Sequence, residues 1–273
     1  MRDFTLNKYR QLLLTLRQAG YTFMPVEQYA DHASDGRTVI LRHDVDAHPE
    51  RALSMAQLEH ELGIRATYYF RAPEMYTDPV TPFLQGVRDL GHEIGYHYED
   101  LVLSQGTVDK AYDHFCHTLH TLRTFYPVRT IAAHGSPRSD IDSKDLWLHY
   151  DYRLLGIVCE PYLDIDYRRV LYLTDTGRRW DGWTVSLRDK IPHAQQTWTD
   201  QGLVFHTTDD ILLSVETSHK KGRCPKGGGA FPPCLLLSTH PQRWTDNTAT
   251  WLRELITQNA KNAVKRLLVR EAK

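Results

Sequence analysis

The amino-acid sequence predicts an α/β fold in which helices alternate with the strands of a parallel sheet or barrel. In the first half of the chain, short segments rich in β-branched and aromatic residues alternate with longer amphipathic segments. Glycine or proline separates most of these segments. Acidic residues and histidines directly follow several predicted strands, and functional residues of parallel sheets lie at such carboxyl ends.

The N-terminal region predicts one helix and then the first strands. Residues 6–19 carry apolar side chains at helical spacing, and Gly20 ends the helix. A short extended piece is expected at residues 21–23. The apolar, β-branched run at residues 38–45 predicts the first long strand, which leads into two carboxylates.

The next elements alternate regularly. We predict helices at residues 49–62, 82–90 and 107–125, and strands at residues 66–70, 92–97 and 130–134. A repeated strand–helix–strand order implies parallel strands joined by right-handed crossover connections.

The second half of the chain is less regular. We predict strands at residues 154–159, 170–173, 202–206 and 234–239, a helix that begins at Thr207 or Thr208, irregular structure at 222–233, and a helix at 251–268. No internal repeat or interdomain linker is present. The sequence therefore predicts a single domain over residues 1–273, with helices near both termini.

Composition excludes several classes of function. The 33 Lys and Arg residues balance 34 Asp and Glu residues, which argues against a nucleic-acid partner. No apolar run approaches the length of a membrane span. The charged start lacks the apolar core of a signal peptide, and the four cysteines, Cys116, Cys159, Cys224 and Cys234, are scattered. We therefore expect a cytoplasmic protein with free thiols.

The strongest candidate for chemistry is the pair of acids that ends the first long strand. Side chains alternate along a strand, so Asp44 and Asp46 point to the same side and Val45 to the other. Two carboxylates held together repel each other unless a cation lies between them or they share a proton. Helix capping would need one acid and would not explain the second. The pattern favours a divalent metal site.

Histidines end two further predicted strands. Asp46 and His97 are the firmest ligand candidates, since a carboxylate and a neutral imidazole suit zinc or another first-row divalent ion. The third ligand is either Glu99, two residues beyond His97, or His134. We favour His134, because imidazole suits the same metals and its strand end is better defined.

Two further groups of candidates lie in the second half of the chain. His240 follows an apolar strand and could act as a general acid, or it could cap the turn before Pro241. A polar loop is predicted to bind substrate, because an indole can stack on a sugar ring; a surface ion-pair loop is the alternative. The candidate substrate-binding residues are Asp175, Arg178, Arg179 and Trp180.

These segments resemble the polysaccharide deacetylase (NodB-homology) superfamily, also known as carbohydrate esterase family four. The resemblance rests on the strand end at Asp44-Val45-Asp46, the strand at residues 66–70, the segment 91–97 (GHEIGYH) and the late strand that ends at His240. It covers roughly residues 10–245, and the segment 91–97 is its most specific part. It implies a distorted (β/α) barrel of about seven parallel strands.

The resemblance also implies an activity, the metal-dependent hydrolysis of an N-acetyl group from a sugar. By matching, Asp44 would be the base, Asp46 and His97 metal ligands, and His240 the acid. This chain departs from the family pattern at two places, which suggests a divergent branch. Val45 separates acids that are usually adjacent, and Leu101 occupies the position of the family's second metal-binding histidine.

The sequence thus predicts a zinc-type hydrolase that acts on a carbohydrate or glycan precursor in carbohydrate metabolism. Two other functions remain open, a metal-dependent amidase for a non-sugar C–N bond and a non-catalytic sugar-binding barrel. A purely structural reading, in which the acids and histidines only cap and pack, is the third alternative.

Overall fold

The structure is a computed structural model that describes residues 2–32, 36–76, 79–136, 139–181, 184, 186, 189, 191–221 and 230–271. The chain divides into two compact units. Unit 1 comprises Met1–Phe23, Ser34–Ile40 and Asp166–Lys273, and unit 2 comprises Met24–Ala33 and Leu41–Ile165. The single domain over residues 1–273 stays a prediction.

The strands form a seven-stranded sheet with the hydrogen-bonded order β5-β4-β3-β2-β7-β6, and β1 pairs with β2. The strands are β1 Thr22–Met24, β2 Thr38–Val45, β3 Thr67–Phe70, β4 Glu93–Tyr98, β5 Ile131–Ala133, β6 Leu171–Thr174 and β7 Cys234–Thr239. The pairs β2–β3, β3–β4, β4–β5 and β6–β7 are parallel. The predicted α/β class is confirmed, and the all-parallel strand order is consistent with a distorted (β/α) barrel.

Helices connect these strands. They are α1 Leu6–Gln18, α2 Val26–Asp31, α3 Pro49–Glu61, α4 Thr81–Asp89, α5 Asp100–Leu103, α6 Val108–Arg123, α7 Pro161–Asp164, α8 Pro192–Asp200, α9 Thr208–Lys221 and α10 Thr248–Glu271. Short 3-10 helices lie at Pro73–Met75, Ser143–Leu148, Tyr152–Leu155 and Pro241–Arg243. The alternation predicted up to β5 is confirmed; α2, α5, α7 and α8 were not predicted, because they are short or weakly periodic.

Unit 2 contains β3, β4, β5 and the second half of β2. Its parallel register places Asp44 beside Tyr69, and Tyr69 beside Gly95. The missing side chain at Gly95 leaves space for the Tyr69 ring, since a Cβ atom there would lie 2.3 Å from two ring carbons. The Tyr69 hydroxyl donates to Thr130 Oγ1 at 3.1 Å and so crosses β4 to reach β5. One face of these strands is therefore polar and yet fully buried.

Unit 1 contains β6 and β7, paired from Leu171 with Leu235 onwards. Its core includes a group of aromatic rings around Trp244, which is 1% exposed. Phe4 and Tyr9 lie with ring centroids 5.1 and 5.2 Å from that indole. Helix α1 thereby packs its apolar face into unit 1.

Two predicted strands are absent from the described residues. In place of a strand at 154–159, the chain forms the 3-10 helix Tyr152–Leu155, because Asp151 accepts the Arg153 N–H and starts a turn. Only one isolated bridge, between Cys159 and Thr130, remains of that strand. Residues 202–206 follow α8 without forming a ladder. The irregular segment predicted at 222–233 lies mostly outside the described residues, and residues 230–233 are irregular.

Two further sequence expectations can be compared with the described residues. Cys116, Cys159 and Cys234 are free thiols, and Cys224 lies outside the part of the chain that the structure describes. Within the described part, no helix combines the length and the apolar character that crossing a membrane requires.

Candidate metal centre

The candidate ligands come from three strand ends of unit 2. Asp46 directly follows β2, His97 lies near the end of β4, and His134 directly follows β5. The register pairs His97 with Ala132, two residues before His134, so the two histidines share a face of the sheet. Asp44 and Asp46, which strand alternation places on one side, lie on the same face of the sheet as these two histidines.

Asp46, His97 and His134 bring three ligand atoms together. Asp46 Oδ1 lies 3.4 Å from His97 Nε2 and 3.6 Å from His134 Nε2. A tetrahedral ion with bonds of roughly 2.0–2.1 Å separates its ligand atoms by about 3.3 Å. All three atoms lie within 4.8 Å of one another. These residues could hold a metal ion. Among the described residues, they are the group of three or more possible ligand side chains that lie close enough together to do so.

The ring of His97 is oriented by the backbone of β5. Its Nδ1 lies 2.9 Å from the Ala132 carbonyl oxygen. A carbonyl oxygen only accepts hydrogen bonds, so Nδ1 carries a hydrogen. Nε2, the ring nitrogen nearest Asp46, is therefore the atom that could bind a metal ion.

The ring of His134 is oriented by a carboxylate. Its Nδ1 lies 2.8 Å from Glu99 Oε2, and its ring is perpendicular to that of His97 at a centroid distance of 5.2 Å. Burial raises the pKa of Glu99, but the hydrogen bonds and charges of His134 and Arg71 outweigh burial and hold that pKa at about 2. Glu99 is therefore an ionised acceptor, and His134 donates its Nδ1 hydrogen to it.

Two side chains outside the predicted set complete this region. Arg71 follows β3 directly and donates through Nε to Glu99 Oε1 at 2.6 Å. Tyr76 donates its hydroxyl hydrogen to the Val45 carbonyl, between the two acids, and accepts the Arg71 N–H at 3.0 Å. The loop after β3 thus contacts both the segment that carries Asp46 and the carboxylate behind His134.

Asp44 lies beside the ligand group and is held by an arginine. Arg42 donates through Nε to Oδ1 at 2.8 Å and through Nη2 to Oδ2 at 2.9 Å. Arg42 is fully buried, and its guanidinium lies between the rings of Tyr69 and Tyr162. Asp44 Oδ2 is 3.9 Å from His97 Nε2. The two acids therefore have different surroundings although they share a face.

His240 lies in unit 1, at the end of β7. Its Nδ1 is 2.7 Å from Asp175 Oδ1, and its backbone N–H donates to Asp175 Oδ2 at 3.0 Å. Arg243 and the Trp244 indole also donate to this fully buried carboxylate, at 2.5 and 2.7 Å. Burial raises the pKa of Asp175, but the charges of Arg243 and His240 outweigh burial and lower it below the ordinary value.

The predicted substrate-binding loop makes its contacts within unit 1. Asp175 holds His240, and Arg179 pairs with Asp181 at 2.5 Å. Trp180 is 2% exposed and donates its indole N–H to Thr208 Oγ1 at 2.9 Å. Arg178 is also buried, against the rings of Phe4 and Trp251. Substrate binding by these four residues stays a prediction, and the structure gives Trp180 a packing role that the sequence did not indicate.

Sequence reasoning missed Arg42 and Arg71, although a signal for each was present. Arg42 is two residues before Asp44 on the same strand, so alternation alone would have placed both on one face. Arg71 follows a predicted strand in the same way as the acids and histidines do.

Comparisons with known proteins give no family. No protein-family model matches the chain, and no curated protein matches it. The functional argument therefore depends on the residues and on their geometry.

Proposed function

We propose that this protein is a metal-dependent hydrolase that removes an acyl group, in the first instance an N-acetyl group, from a sugar or glycan precursor. One observation carries the proposal. Asp46, His97 and His134 present three ligand atoms at the separations that a divalent ion requires, and the Asp44 carboxylate lies beside them. The sequence resemblance to polysaccharide deacetylases supports the reaction class.

Zinc is the ion that this ligand set suits best. One carboxylate and two neutral imidazoles are typical of catalytic zinc sites that keep an open position for water. A bound ion of this kind polarises an amide carbonyl and lowers the pKa of bound water from ~16 toward ~7. In the protein, His97 and His134 would contribute their Nε2 atoms and Asp46 one carboxylate oxygen.

Asp44 would take the proton of the attacking water. Each of its oxygens accepts one hydrogen bond from Arg42, and a carboxylate oxygen can accept a second. The guanidinium also favours the ionised form of the carboxylate, which is the form that can accept a proton. Arg42 would therefore keep Asp44 oriented and charged in each cycle.

His240 would protonate the leaving amine. A general acid must carry a proton before it can donate one. The Asp175 carboxylate, 2.7 Å from His240 Nδ1, would favour the protonated imidazole, whereas the Arg243 guanidinium, also 2.7 Å from Nδ1, would oppose it. Base and acid would then be different groups, Asp44 and His240.

A second function has one specific observation in its favour. The indole of Trp180 was the reason to expect a sugar ring, and it is almost completely buried. A metal-dependent amidase for a non-sugar C–N bond would use the same ligands, base and acid without needing an exposed indole.

The test is to measure metal content and acetate release with the purified protein. We expect about one zinc per chain and acetate release from at least one member of a panel of N-acetylated amino sugars. Asp46→Asn is the matched control, because it keeps the size of the side chain and should lose both properties. Bound metal with release only from non-sugar acetamides would support the amidase. Bound metal without any hydrolysis would support a sugar-binding barrel, and a protein without metal would overturn the proposal.

A further inference from the structure

The metal centre has a supporting network that the sequence resemblance does not assign. We propose that Arg71 and Glu99 are positioning residues of this centre. Arg71 fixes the carboxylate of Glu99, and Glu99 in turn holds the ring of His134 with Nε2 toward Asp46. This inference rests on the metal-binding part of the proposed function.

The carboxylate of Glu99 is fully engaged. Its Oε1 accepts from Arg71 Nε at 2.6 Å and also from Arg71 Nη2. Its Oε2 accepts from His134 Nδ1 at 2.8 Å and from Ser136 Oγ at 3.0 Å. To bind the ion itself, Glu99 would have to break these hydrogen bonds. His134 is therefore the third ligand, and Glu99 is the group behind it.

Burial makes this arrangement rigid. The side chain of Glu99 is 7% exposed and that of Arg71 is 14% exposed. Removing one partner of a buried ion pair leaves an uncompensated charge, which costs several kcal/mol. The carboxylate therefore stays with the guanidinium, and its second oxygen is left facing the imidazole.

Arg71 is itself held through both its backbone and its side chain. Its backbone N–H donates to the Tyr76 hydroxyl at 3.0 Å, directly after β3. Its side chain reaches Glu99, which directly follows β4. The side-chain hydrogen bonds of Arg71 go to Glu99, so we expect its positioning effect on the ion to pass through that carboxylate, while its charge also acts directly on His134.

This order of contacts predicts a specific energetic pattern. A carboxylate that accepts the Nδ1 hydrogen of a metal-binding histidine raises the basicity of the ring, and its loss typically weakens metal binding by roughly 10–100-fold. If Arg71 acts only through Glu99, its removal should have no further effect once Glu99 is neutral. A double-mutant cycle measures this dependence.

The experiment uses the full chain in five variants. These are Glu99→Gln, Arg71→Met, the double variant, Arg71→Lys, and Arg129→Met as the matched control. Arg129 makes a bidentate pair with Asp31 in the same unit, with both distances 2.8 Å, but it is exposed. Zinc affinity is measured by competition with a chromophoric chelator. The absorption spectrum of the cobalt-loaded protein reports the geometry of the site, and thermal unfolding of the chelator-treated protein reports stability separately.

We expect Glu99→Gln to weaken zinc binding roughly 10–100-fold and Arg71→Met by about tenfold. The double variant should bind no more weakly than Glu99→Gln, and both single variants should alter the cobalt spectrum. Arg129→Met should retain wild-type affinity and spectrum. Arg71→Lys, which keeps one charged donor, should recover part of the affinity, and it decides the question if Arg71→Met does not fold.

Three results would overturn the inference. Wild-type zinc affinity in Arg71→Met, or in Arg71→Lys when that variant decides, would show that Arg71 does not position the site. Additive losses in the double variant would show that Arg71 acts independently of Glu99. An effect of Arg129→Met equal to that of Arg71→Met would reduce the role to general stability. A wild-type protein that binds no metal would instead overturn the proposed function. The failure of the proposed function and the failure of this inference therefore give different results.

Discussion

Two histidines of this protein, one in each unit, each have Nδ1 beside a buried carboxylate. His134 Nδ1 lies 2.8 Å from Glu99, and His240 Nδ1 lies 2.7 Å from Asp175. An arginine contacts each of these carboxylates. The arginines are Arg71 in unit 2 and Arg243 in unit 1, and Arg243 Nη1 also lies 2.7 Å from His240 Nδ1. Each unit thus contains an arginine–carboxylate–histidine triple of this kind.

The surroundings of the two triples differ. The other ring nitrogen of His134 is 3.6 Å from Asp46, and the ring of His97 is adjacent. At His240, the carboxylate is enclosed by an indole N–H and a backbone N–H, and the described residues add no comparable group of ligands. The comparison teaches that a carboxylate behind a histidine does not define its role. Under the proposed function, what the ring meets on its other side separates a metal-binding histidine from a proton-transferring one.

A third buried carboxylate, that of Glu93, has different partners. Glu93 accepts from Thr67, Thr130 and the Glu27 backbone N–H, and no arginine is among these hydrogen-bond partners. Burial, together with the charge of Glu27, raises the pKa of Glu93 to about 7. At Glu99 the hydrogen bond and charge of His134, followed by those of Arg71, outweigh burial and hold the pKa at about 2.

The largest expected effect is on metal content, which should depend on the residues around the triple in unit 2 and not on the triple in unit 1. Asp46→Ala should abolish zinc retention, because it removes a ligand, whereas His240→Ala should leave zinc content unchanged. Metal analysis after gel filtration measures both. Full occupancy in Asp46→Ala would place the ion elsewhere, and loss of zinc in His240→Ala would mean that the two histidines do not have the separate roles assigned here.

The next prediction concerns the carboxylate without an arginine. The folded-state pKa of Glu93 is about 7 and the ordinary value is 4.5, so the folded protein holds this proton to higher pH than the unfolded chain does. The contribution of Glu93 to the free energy of unfolding is therefore fully present below pH 4.5 and is lost as the pH rises through 7. The total loss is about 3 kcal/mol. Glu93→Gln should remove this dependence.

Urea unfolding at pH 5 and pH 8 measures the effect of Glu93→Gln, with Glu216→Gln, at an exposed position, as the control. The difference in unfolding free energy between the variant and the wild type should favour the variant more at pH 8. An equal difference at both pH values would contradict the shifted pKa.

A third prediction tests the proton-transfer role of the triple in unit 1. On any substrate that the wild type hydrolyses, His240→Ala should lower the rate by about a hundredfold or more, the usual contribution of a general acid. His149→Ala, at an exposed histidine, is the control and should keep the wild-type rate. A wild-type rate in His240→Ala would remove His240 from the mechanism. The triple in unit 1 would then have no role in proton transfer.

The smallest expected effect concerns the sheet that carries His97. Gly95→Ala places a Cβ atom 2.3 Å from two carbons of the buried Tyr69 ring and 3.1 Å from a backbone oxygen. We expect a loss of about 2 kcal/mol in unfolding free energy, measured by urea denaturation. Gly86→Ala is the control, since its nearest neighbour is the flexible end of Leu53 at 2.9 Å. Equal losses in both variants would mean that the ring at Gly95 moves aside easily.

Much of this arrangement could be predicted from the sequence, because it depends on periodicity. The alternation of strands and helices up to β5 and the shared side of Asp44 and Asp46 follow from residue spacing alone. The sequence favoured His134 as the third ligand but left Glu99 as an alternative, since both are suitable in chemistry. Their roles depend on which group meets Arg71, and that contact joins residues 28 positions apart in the sequence.

The second half of the chain was less predictable for a physical reason. The apolar residues at 154–159 suit a strand, but the local side-chain hydrogen bond from Asp151 favours a turn. Trp180 belongs to a polar stretch, and only the tertiary structure brings Phe4 to its ring at 6.3 Å. Long-range packing of this kind leaves no local pattern in the sequence.

The distribution of the ligands along the chain has a consequence for folding. Asp46, His97 and His134 meet only when the four strands β2 to β5 are paired in register, so the unfolded chain offers no comparable site. An ion held by these three residues would therefore bind the native state selectively and report on the folding of unit 2. At an ion concentration one hundred times the dissociation constant, mass action would add about 2.7 kcal/mol to the free energy of unfolding. The supply of such an ion would thus change the stability of the folded protein.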